Sequence, residues 1–435
     1  MRKLEREIVE APLFERETNS SSLPVLRQFA QSQHPSIRRR SDESSKNTVA
    51  VLGAGHGGLA LAAHLSTQGF RVVLWNRSIA RVAPIKESGG INLTRPGSPS
   101  TFAPIAAATC RIGAALAEAD RVLVAVPASG HADIARACAP YLRDHHTVLL
   151  LPGRTGGALE FRNVLRQAGS RARILLGETN TFPFAARCTG PISAAIYGAK
   201  IELLAAASSS HRTPELLEVC RPLFPVLAPA RSVLHTGFAN VGAILHPTIT
   251  LLNADRINSG VPFDFYSDGV TPEVAGMLAA ADVERIRIAR AYGVTACNLQ
   301  EWIASAYGHH ADSVLAAVGG NPAYVGIKAP NTLVHRYILE DVPTGLIPLL
   351  ELGRAARIAA PTLERLVELA QTTLGCQPWQ DQRTLASLGL GGFTPAEICA
   401  SVAEERSTEP AVAIGASALT SYYSTPDAAI PATGV

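Results

Sequence analysis

The chain has 435 residues, of which 47% are hydrophobic, and a formal net charge of +3. This length predicts two folded domains with sizeable cores, and so small a charge gives no reason to expect a nucleic-acid partner. No apolar run reaches the roughly 18 residues that a membrane-spanning helix needs, so we expect no membrane association.

Residues 1–46 are polar and carry charges of both signs. They lack the apolar segment of a secretory signal, and their acidic residues argue against a transit peptide. The seven cysteines of the chain are scattered, odd in number and without a CxxC pair, which argues against a disulfide framework. No metal-site spacing appears. We therefore predict a cytoplasmic protein with a flexible N-terminal extension and no metal site.

The stretch from Thr48 to Arg77 has the pattern strand, glycine-rich turn, helix, strand. The apolar run Thr48–Leu52 is typical of a buried parallel strand, and the GxGxxG sequence GAGHGG follows it at residues 53–58. In this setting the motif predicts a dinucleotide site with the pyrophosphate at the helix N-terminus; the alternative is a glycine-rich turn with no ligand. We expect the cofactor to contact Gly53, Gly55, His56, Gly57 and Gly58.

The end of the second strand bears on the choice of nicotinamide cofactor. An acidic residue there would bind the ribose 2′-hydroxyl of NAD, but this chain has Asn76 followed by Arg77. No carboxylate repels a 2′-phosphate, and an arginine is available to bind one, so NADP(H) is favoured. NAD(H) stays possible because Asn76 can hydrogen-bond the ribose and Arg77 can be a solvated surface residue.

Further α/β units follow along the chain. Residues 120–127 and 147–151 predict buried strands, with a helix over 131–143 between them. Because the ligand crevice of a doubly wound sheet lies at the carboxyl ends of its first and fourth strands, we expect Pro127 near the nicotinamide. Arg154 lies one strand further out, where substrate binding and a structural turn are both open. Residues 192–206 predict two more strands, and residues 213–224 a helix.

After about residue 231, long helical patterns replace the strand patterns. Thr271, Pro272 and Glu273 form an N-cap, a proline at the first helical position and an acid in the first turn; Pro361 begins another helix, which Gly375 ends. The chain is thus predicted to be an α/β Rossmann dinucleotide-binding domain followed by an all-α domain. The predicted parts are the extension 1–46, the Rossmann domain 47–232, the helical substrate domain 233–405 and a flexible tail 406–435.

Two stretches in the helical half are more specific than composition explains. They are NVGAILHP at residues 240–247, followed by LLN at 251–253, and HRYILEDVP at residues 335–343, followed by GLIP at 345–348. Together they resemble the opine dehydrogenases, the octopine/nopaline dehydrogenase family, over about residues 48–400. The resemblance implies an active site between a Rossmann and a helical domain. It also implies NAD(P)H-dependent reduction of the imine formed from an amino acid and a 2-oxo acid, giving a secondary amine dicarboxylate.

The same resemblance implies roles for three side chains. His246 corresponds to the catalytic histidine of the family, and histidine suits proton transfer because its ordinary pKa is near 6.5; the alternative is a helix histidine with a structural partner. Asp341 corresponds to the carboxylate that orients this histidine, with a helix N-cap as the alternative. Arg336 corresponds to the arginine that binds a substrate carboxylate, with an ion pair to Glu340 as the alternative.

Two other functions remain open on sequence alone. One is a different Rossmann-plus-helical reductase that acts on a hydroxy acid or a sugar phosphate; several such enzymes use a lysine acid/base, and none of the five lysines here has a helix context that favours that role. The other is a regulator that binds NADP(H) without turnover. A regulator has no need of His246, Arg336 and Asp341, which favours the enzyme.

Overall fold

The computed structural model describes residues 47–375, 379 and 382–404, so the predicted extension 1–46 and tail 406–435 lie outside the described residues. The described strands are β1 Thr48–Leu52, β2 Arg71–Trp75, β3 Gly90–Arg95, β4 Ser98–Pro104, β5 Ala107–Thr109, β6 Arg121–Val124, β7 Thr147–Leu150, β8 Leu175–Thr179, β9 Phe184–Gly190, β10 Ser193–Ala199, β11 Leu203–Ala207 and β12 Leu227–Pro229. The described helices of the first half are α1 His56–Thr67, α2 Ile79–Ser88, α3 Ile112–Ala117, α4 His131–Cys138, α5 Gly157–Gln167 and α6 Thr213–Cys220.

The main sheet has eight strands in the order β12-β11-β8-β7-β6-β1-β2-β5. Strand β1 pairs in parallel with β2 on one side and with β6 on the other, so that Leu52 lies between Trp75 and Val124. The carboxyl ends of these three strands therefore meet at one edge, where a doubly wound sheet binds its ligand. This confirms the predicted Rossmann arrangement.

Strand β1 is buried on both faces. Its side chains alternate between two apolar clusters: Val49 and Val51 pack with the helices and the small sheet on one side, and Ala50 and Leu52 with the helices on the other. The second of these clusters continues into the helical half, where it includes Ile244. A run of five apolar or β-branched residues suits this position because both faces of a parallel sheet are covered.

A second sheet of four strands has the order β4-β3-β10-β9 and lies against α1. The sequence predicted β10 and β11 but not β3, β4 and β9. The small sheet is anchored where Phe184 of β9 packs edge-to-face on His64 of α1, with ring centroids 4.7 Å apart. Cys188 of the same strand donates its N–H to His56 at the start of α1, so β9 also lies beside the glycine-rich turn.

After β12 the described elements are helices, together with a 3₁₀ turn at Pro322–Tyr324. They are α7 Val233–Phe238, α8 Gly242–Leu252, α9 Ala254–Asn258, α10 Pro272–Ala291, α11 Leu299–Tyr307, α12 Val314–Gly319, α13 Arg336–Leu339, a π-helical turn Val342–Leu346, α14 Ile347–Ala355, α15 Pro361–Leu374 and α16 Pro395–Ala403. The all-α character of this half is confirmed, whereas the domain bounds given above stay a prediction.

The predicted helix ends can be compared with the observed ones. Thr271 caps α10 by accepting the Val274 N–H at 3.3 Å, and α15 ends at Gly375, which has the left-handed φ of 60°; both predictions are confirmed. The helix predicted over 131–143 is too long, because α4 ends at Cys138 and turns follow. Among the described residues, no helix combines the length and apolar character that crossing a bilayer needs.

Candidate active site

The glycine-rich turn between β1 and α1 is shaped by close backbone contacts. A β-carbon on Gly53, whose φ is +119°, would lie 2.5 Å from the Ala125 carbonyl oxygen, and one on Gly58 would lie 1.9 Å from the Gly53 carbonyl oxygen. A β-carbon on Gly55 would meet no atom within 4 Å. The turn thus packs tightly on the protein side and is open at Gly55, as a backbone that must approach a pyrophosphate requires.

Three neighbouring side chains set the edges of this turn. Asn76 accepts the Ala54 N–H at 3.1 Å and so holds the turn against the end of β2. His56 Nδ1 accepts the Cys188 N–H of β9 at 2.8 Å. Arg77 is exposed and forms no ion pair with another described residue. Its guanidinium is therefore available to a ligand.

The helical half brings together His246 and Asp341, which are 95 residues apart in the chain. His246 Nδ1 lies 2.8 Å from Asp341 Oδ2, and the Asp341 side chain is fully buried while that of His246 is 19% exposed. A carboxylate accepts the hydrogen bond, so Nδ1 carries a proton and Nε2 is the atom that can accept one. Asp341 makes no helix-capping bond, so the N-cap alternative is not observed.

Small residues allow the contact between His246 and Asp341. A β-carbon on Gly345 would lie 2.7 Å from the Ala243 β-carbon, so the missing side chain lets the π-helical turn after Asp341 pack directly on α8. Gly242 at the start of α8 lets the Arg154 guanidinium approach this helix closely, because a β-carbon on Gly242 would lie 3.1 Å from Arg154 Nη1.

An aromatic stack fixes the plane of the histidine ring. The Tyr337 ring lies parallel to the His246 ring, with centroids 4.4 Å apart and planes at 16°, and the Phe265 ring covers the other face of Tyr337 at 4.9 Å. Two helices, α8 and α13, and the turn that holds Phe265 contribute these rings. The ring of His246 is thus held from one face by packing and from one edge by Asp341.

A cluster of charged side chains lies behind the pair. Arg154, which has the left-handed φ of 61°, lies 3.3 Å from Glu340 and 3.4 Å from Asp341, and its Nη1 donates to Asn240 at 3.3 Å. Arg336 lies 3.2 Å from the other oxygen of Glu340, and its side chain is 54% exposed. Burial favours the protonated form of Asp341, but the Arg154 and His246 charges outweigh burial and hold the pKa of Asp341 below its usual value.

The same cluster joins the two halves of the chain. Glu340 accepts the N–H of Ala128, the residue after Pro127, at 3.3 Å. Arg383 is fully buried and donates to the carbonyl oxygens of Ala128 at 3.1 Å and Gly153 at 2.9 Å. These bonds hold the segments after β6 and β7 against the helices that carry His246 and Asp341.

Comparison with known proteins gives the family. A family model described as NAD/NADP octopine/nopaline dehydrogenase, alpha-helical domain, matches residues 229–374, and one described as ketopantoate reductase PanE/ApbA matches residues 49–185. The opine dehydrogenase of Arthrobacter sp. (strain 1C) is 39% identical to this chain over 82% of the chain and 98% of its own length. The chain belongs to the octopine/nopaline dehydrogenase family.

Solved structures share the fold of this opine dehydrogenase family member. A structure of octopine dehydrogenase with NADH and L-arginine superposes with a TM-score of 0.69 at 20% identity, covering 83% of this chain and all of that one. A structure of yersinopine dehydrogenase with NADP+ superposes with a TM-score of 0.63 at 20% identity, covering 82% and 97%. At these identities the likeness concerns the fold alone.

Family membership settles the class of reaction. The chain is an NAD(P)-dependent oxidoreductase that acts on CH–NH bonds, of the type that condenses an amino acid with a 2-oxo acid reductively. It uses a nicotinamide dinucleotide and small-molecule substrates.

The sequence-predicted site residues are partly brought together. His246, Asp341 and Arg336 lie in one region, and the predicted alternative for Arg336, an ion pair with Glu340, is also present. Arg154 is a predicted candidate for substrate binding, but its side chain is only 11% exposed and already contacts Glu340 and Asp341. Glu340, which links the two halves, was not predicted from the sequence, although its place beside Asp341 is a signal.

Proposed function

We propose that His246 moves the proton in a reductive condensation of an amino acid with a 2-oxo acid, and that Asp341 orients and charges it. The observation that carries this assignment is the 2.8 Å contact between His246 Nδ1 and a fully buried Asp341. The contact leaves Nε2 as the proton-transferring atom. Loss of water from a carbinolamine requires a proton, and a histidine held in this way can supply it.

Arg154 supports the pair from behind. Its charge keeps Asp341 ionised, and an ionised Asp341 stabilises the imidazolium that forms when His246 takes a proton. The buried position of Arg154 makes it a positioning residue in this account. Arg336, with more than half of its side chain exposed, is the arginine that binds a substrate carboxylate.

The glycine-rich turn and the segment around Pro127 hold the nicotinamide dinucleotide, which supplies the hydride. The open backbone at Gly55 fits the pyrophosphate, and the tight contacts at Gly53 and Gly58 fix the turn that presents it. NADPH is the preferred form in this proposal. Arg77 is exposed beside the end of β2, where a 2′-phosphate would lie, while Asn76 is already bonded to the Ala54 N–H.

The test is an assay of NADPH oxidation with pyruvate and a panel of amino acids, each co-substrate also being supplied alone. Pyruvate and arginine are sensible first choices because octopine dehydrogenase has been crystallised with each of them. Oxidation that requires both co-substrates supports the proposal. Oxidation with the oxo acid alone indicates a hydroxy-acid reductase, and binding of NADPH without oxidation indicates a regulator; either result contradicts the proposal.

A further inference from the structure

Arg187 is an exposed arginine of the small sheet, and it lies one residue before a contact between β9 and the start of α1. Along β9, Phe184, Ala186 and Cys188 pack on the apolar core, and Arg187 is exposed on the opposite face. Successive side chains of a strand point to opposite faces, so Arg187 points away from α1. Among the described residues it forms no ion pair and no side-chain hydrogen bond.

The position of Arg187 follows from its neighbours. The next residue, Cys188, donates its N–H to His56 at the start of α1. Burial lowers the pKa of His56, and the charges of Arg187, Arg81 and Arg336 lower it further. Burial likewise lowers the pKa of His335 to about 4, with contributions from Arg336, His246 and Arg187. Arg187 therefore acts electrostatically on both the glycine-rich turn and the segment that carries Arg336.

The chemistry of the product calls for two cationic contacts. A secondary amine dicarboxylate has one carboxylate on each side of its nitrogen, and each is best held by a planar guanidinium that makes two hydrogen bonds. Arg154 is committed to Glu340 and Asp341, so it cannot be the second contact without giving up its role behind His246. Arg336 supplies one contact from the helical half.

We propose that Arg187 binds the second carboxylate, so that each half of the chain holds one of the two carboxylates that flank the new C–N bond. The proposal rests on the function proposed above. In it, Arg336 and Arg187 serve different co-substrates, and the imine is held between them. The two halves then engage the substrate together, because neither arginine alone binds both ends of the product.

The test compares Arg187→Gln, Arg187→Lys and Arg336→Ala by steady-state kinetics, with the amino acid and the oxo acid varied separately. Removing one charged hydrogen-bonding partner corresponds to about a 10- to 100-fold loss of affinity. We expect Arg187→Gln to raise the KM of one co-substrate by that factor, and Arg336→Ala to raise the KM of the other. Arg187→Lys should recover little of the loss, because an ammonium keeps the charge but cannot make the two-pronged contact.

A matched control and a cofactor titration complete the experiment. Arg173→Gln also removes a positive charge from the Rossmann half, at an exposed arginine just before β8 whose side chain is 84% exposed, and should leave both KM values within about twofold. The dissociation constant of NADPH, measured by fluorescence titration, should change by less than about twofold in Arg187→Gln. A large rise would place Arg187 on the pyrophosphate and overturn the proposal.

The remaining outcomes separate this proposal from the one on which it rests. If the wild type needs both co-substrates and Arg187→Gln leaves both KM values unchanged, the Arg187 assignment is wrong and the function stands. If Arg187→Gln and Arg336→Ala raise the KM of the same co-substrate, the division of the two carboxylates is also wrong. If the wild type oxidises NADPH with an oxo acid alone, the proposed function fails, and the two-carboxylate site fails with it.

Discussion

Replacing Arg154 with glutamine should reveal a charge-dependent loss of stability. Arg154 lies within 3.4 Å of two adjacent buried carboxylates, Glu340 and Asp341. Burial alone would raise the pKa of both, but the Arg154 charge helps to hold the pKa of each carboxyl below its usual value. Because the folded pKa is the lower one, these carboxylates stabilise the fold above the ordinary carboxyl pKa of about 4, and that contribution is lost as the pH falls.

Arg154→Gln removes the largest charge that opposes burial at both carboxyls and leaves Arg336 beside Glu340 and His246 beside Asp341. We expect burial then to outweigh the remaining charges and to raise the folded pKa above the unfolded one, so that the variant loses stability as the pH rises from about 4 towards 7. Removing one partner of a buried ion pair costs about 3–5 kcal/mol. We therefore expect a deficit of about that size at pH 7, shrinking on acidification by about 1.4 kcal/mol per pH unit for each group that becomes protonated.

The assay is urea unfolding of wild type and variant at pH 5, 6 and 7, followed by tryptophan fluorescence. Arg357 offers a matched control because it is an exposed arginine with a similar left-handed φ of 56°. Arg357→Gln keeps the β-carbon and the backbone conformation, and should change the free energy of unfolding by no more than about 0.5 kcal/mol. A deficit in Arg154→Gln that is the same at all three pH values would show that Arg154 acts through packing, and would refute the electrostatic role.

Three further predictions concern other parts of the molecule. Arg77→Ala should weaken NADPH by about 1.5–3 kcal/mol and leave NADH nearly unchanged in a fluorescence titration; equal weakening of both would exclude a contact with the 2′-phosphate. Arg336→Lys should recover little of the substrate affinity lost in Arg336→Ala, because an ammonium cannot make the two-pronged contact. Wild-type KM values in both variants would show that Arg336 has a structural role and does not bind substrate. Burial raises the pKa of Glu178 to about 7 despite bonds from Thr236 and Ala158, so the stability of the wild type should fall as the pH rises from about 4.5 to 7. In urea unfolding, Glu178→Gln should be more stable than the wild type by up to about 3 kcal/mol at pH 8 and similar to it at pH 5. An equal difference at both pH values would contradict the raised pKa.

The local parts of the fold were accessible from the sequence. The unit β1-α1-β2 is specified by neighbouring residues: an apolar run, a glycine turn that tolerates no β-carbon at Gly53 or Gly58, and a second apolar run. The caps of α10 and α15 are local in the same sense, since Thr271 and Gly375 act within a few residues of the helix ends. Such signals need no knowledge of the tertiary structure.

The small sheet was not accessible in this way. Strand β4 has mostly exposed side chains, and β9 alternates intermediate and exposed positions, so neither shows a strong apolar pattern. Strand β3 pairs with β10, about 100 residues later. Pairing over such a distance depends on the whole fold. Arg187 lies on β9, the last strand of this sheet, and its exposure had no signal of its own in the sequence.

The candidate active site was likewise only partly accessible from the sequence. The family resemblance marked His246, Asp341 and Arg336, but the contact between the first two is a tertiary fact that spacing does not reveal. The stacking of Tyr337 and the burial of Arg154 against Glu340 depend on segments that meet only in the folded chain. For Arg154 the sequence left two roles open, and the contacts favour the positioning role.

The role of His246 is tested most directly by the turnover of His246→Ala with NADPH and both co-substrates, together with its NADPH dissociation constant. We expect kcat to fall by about 10²- to 10⁴-fold, the usual contribution of a general acid/base. The NADPH constant should stay within about twofold of the wild type, since the glycine-rich turn lies in the other half of the chain. A His246→Ala enzyme with wild-type turnover would contradict the assignment of proton transfer to the His246–Asp341 pair.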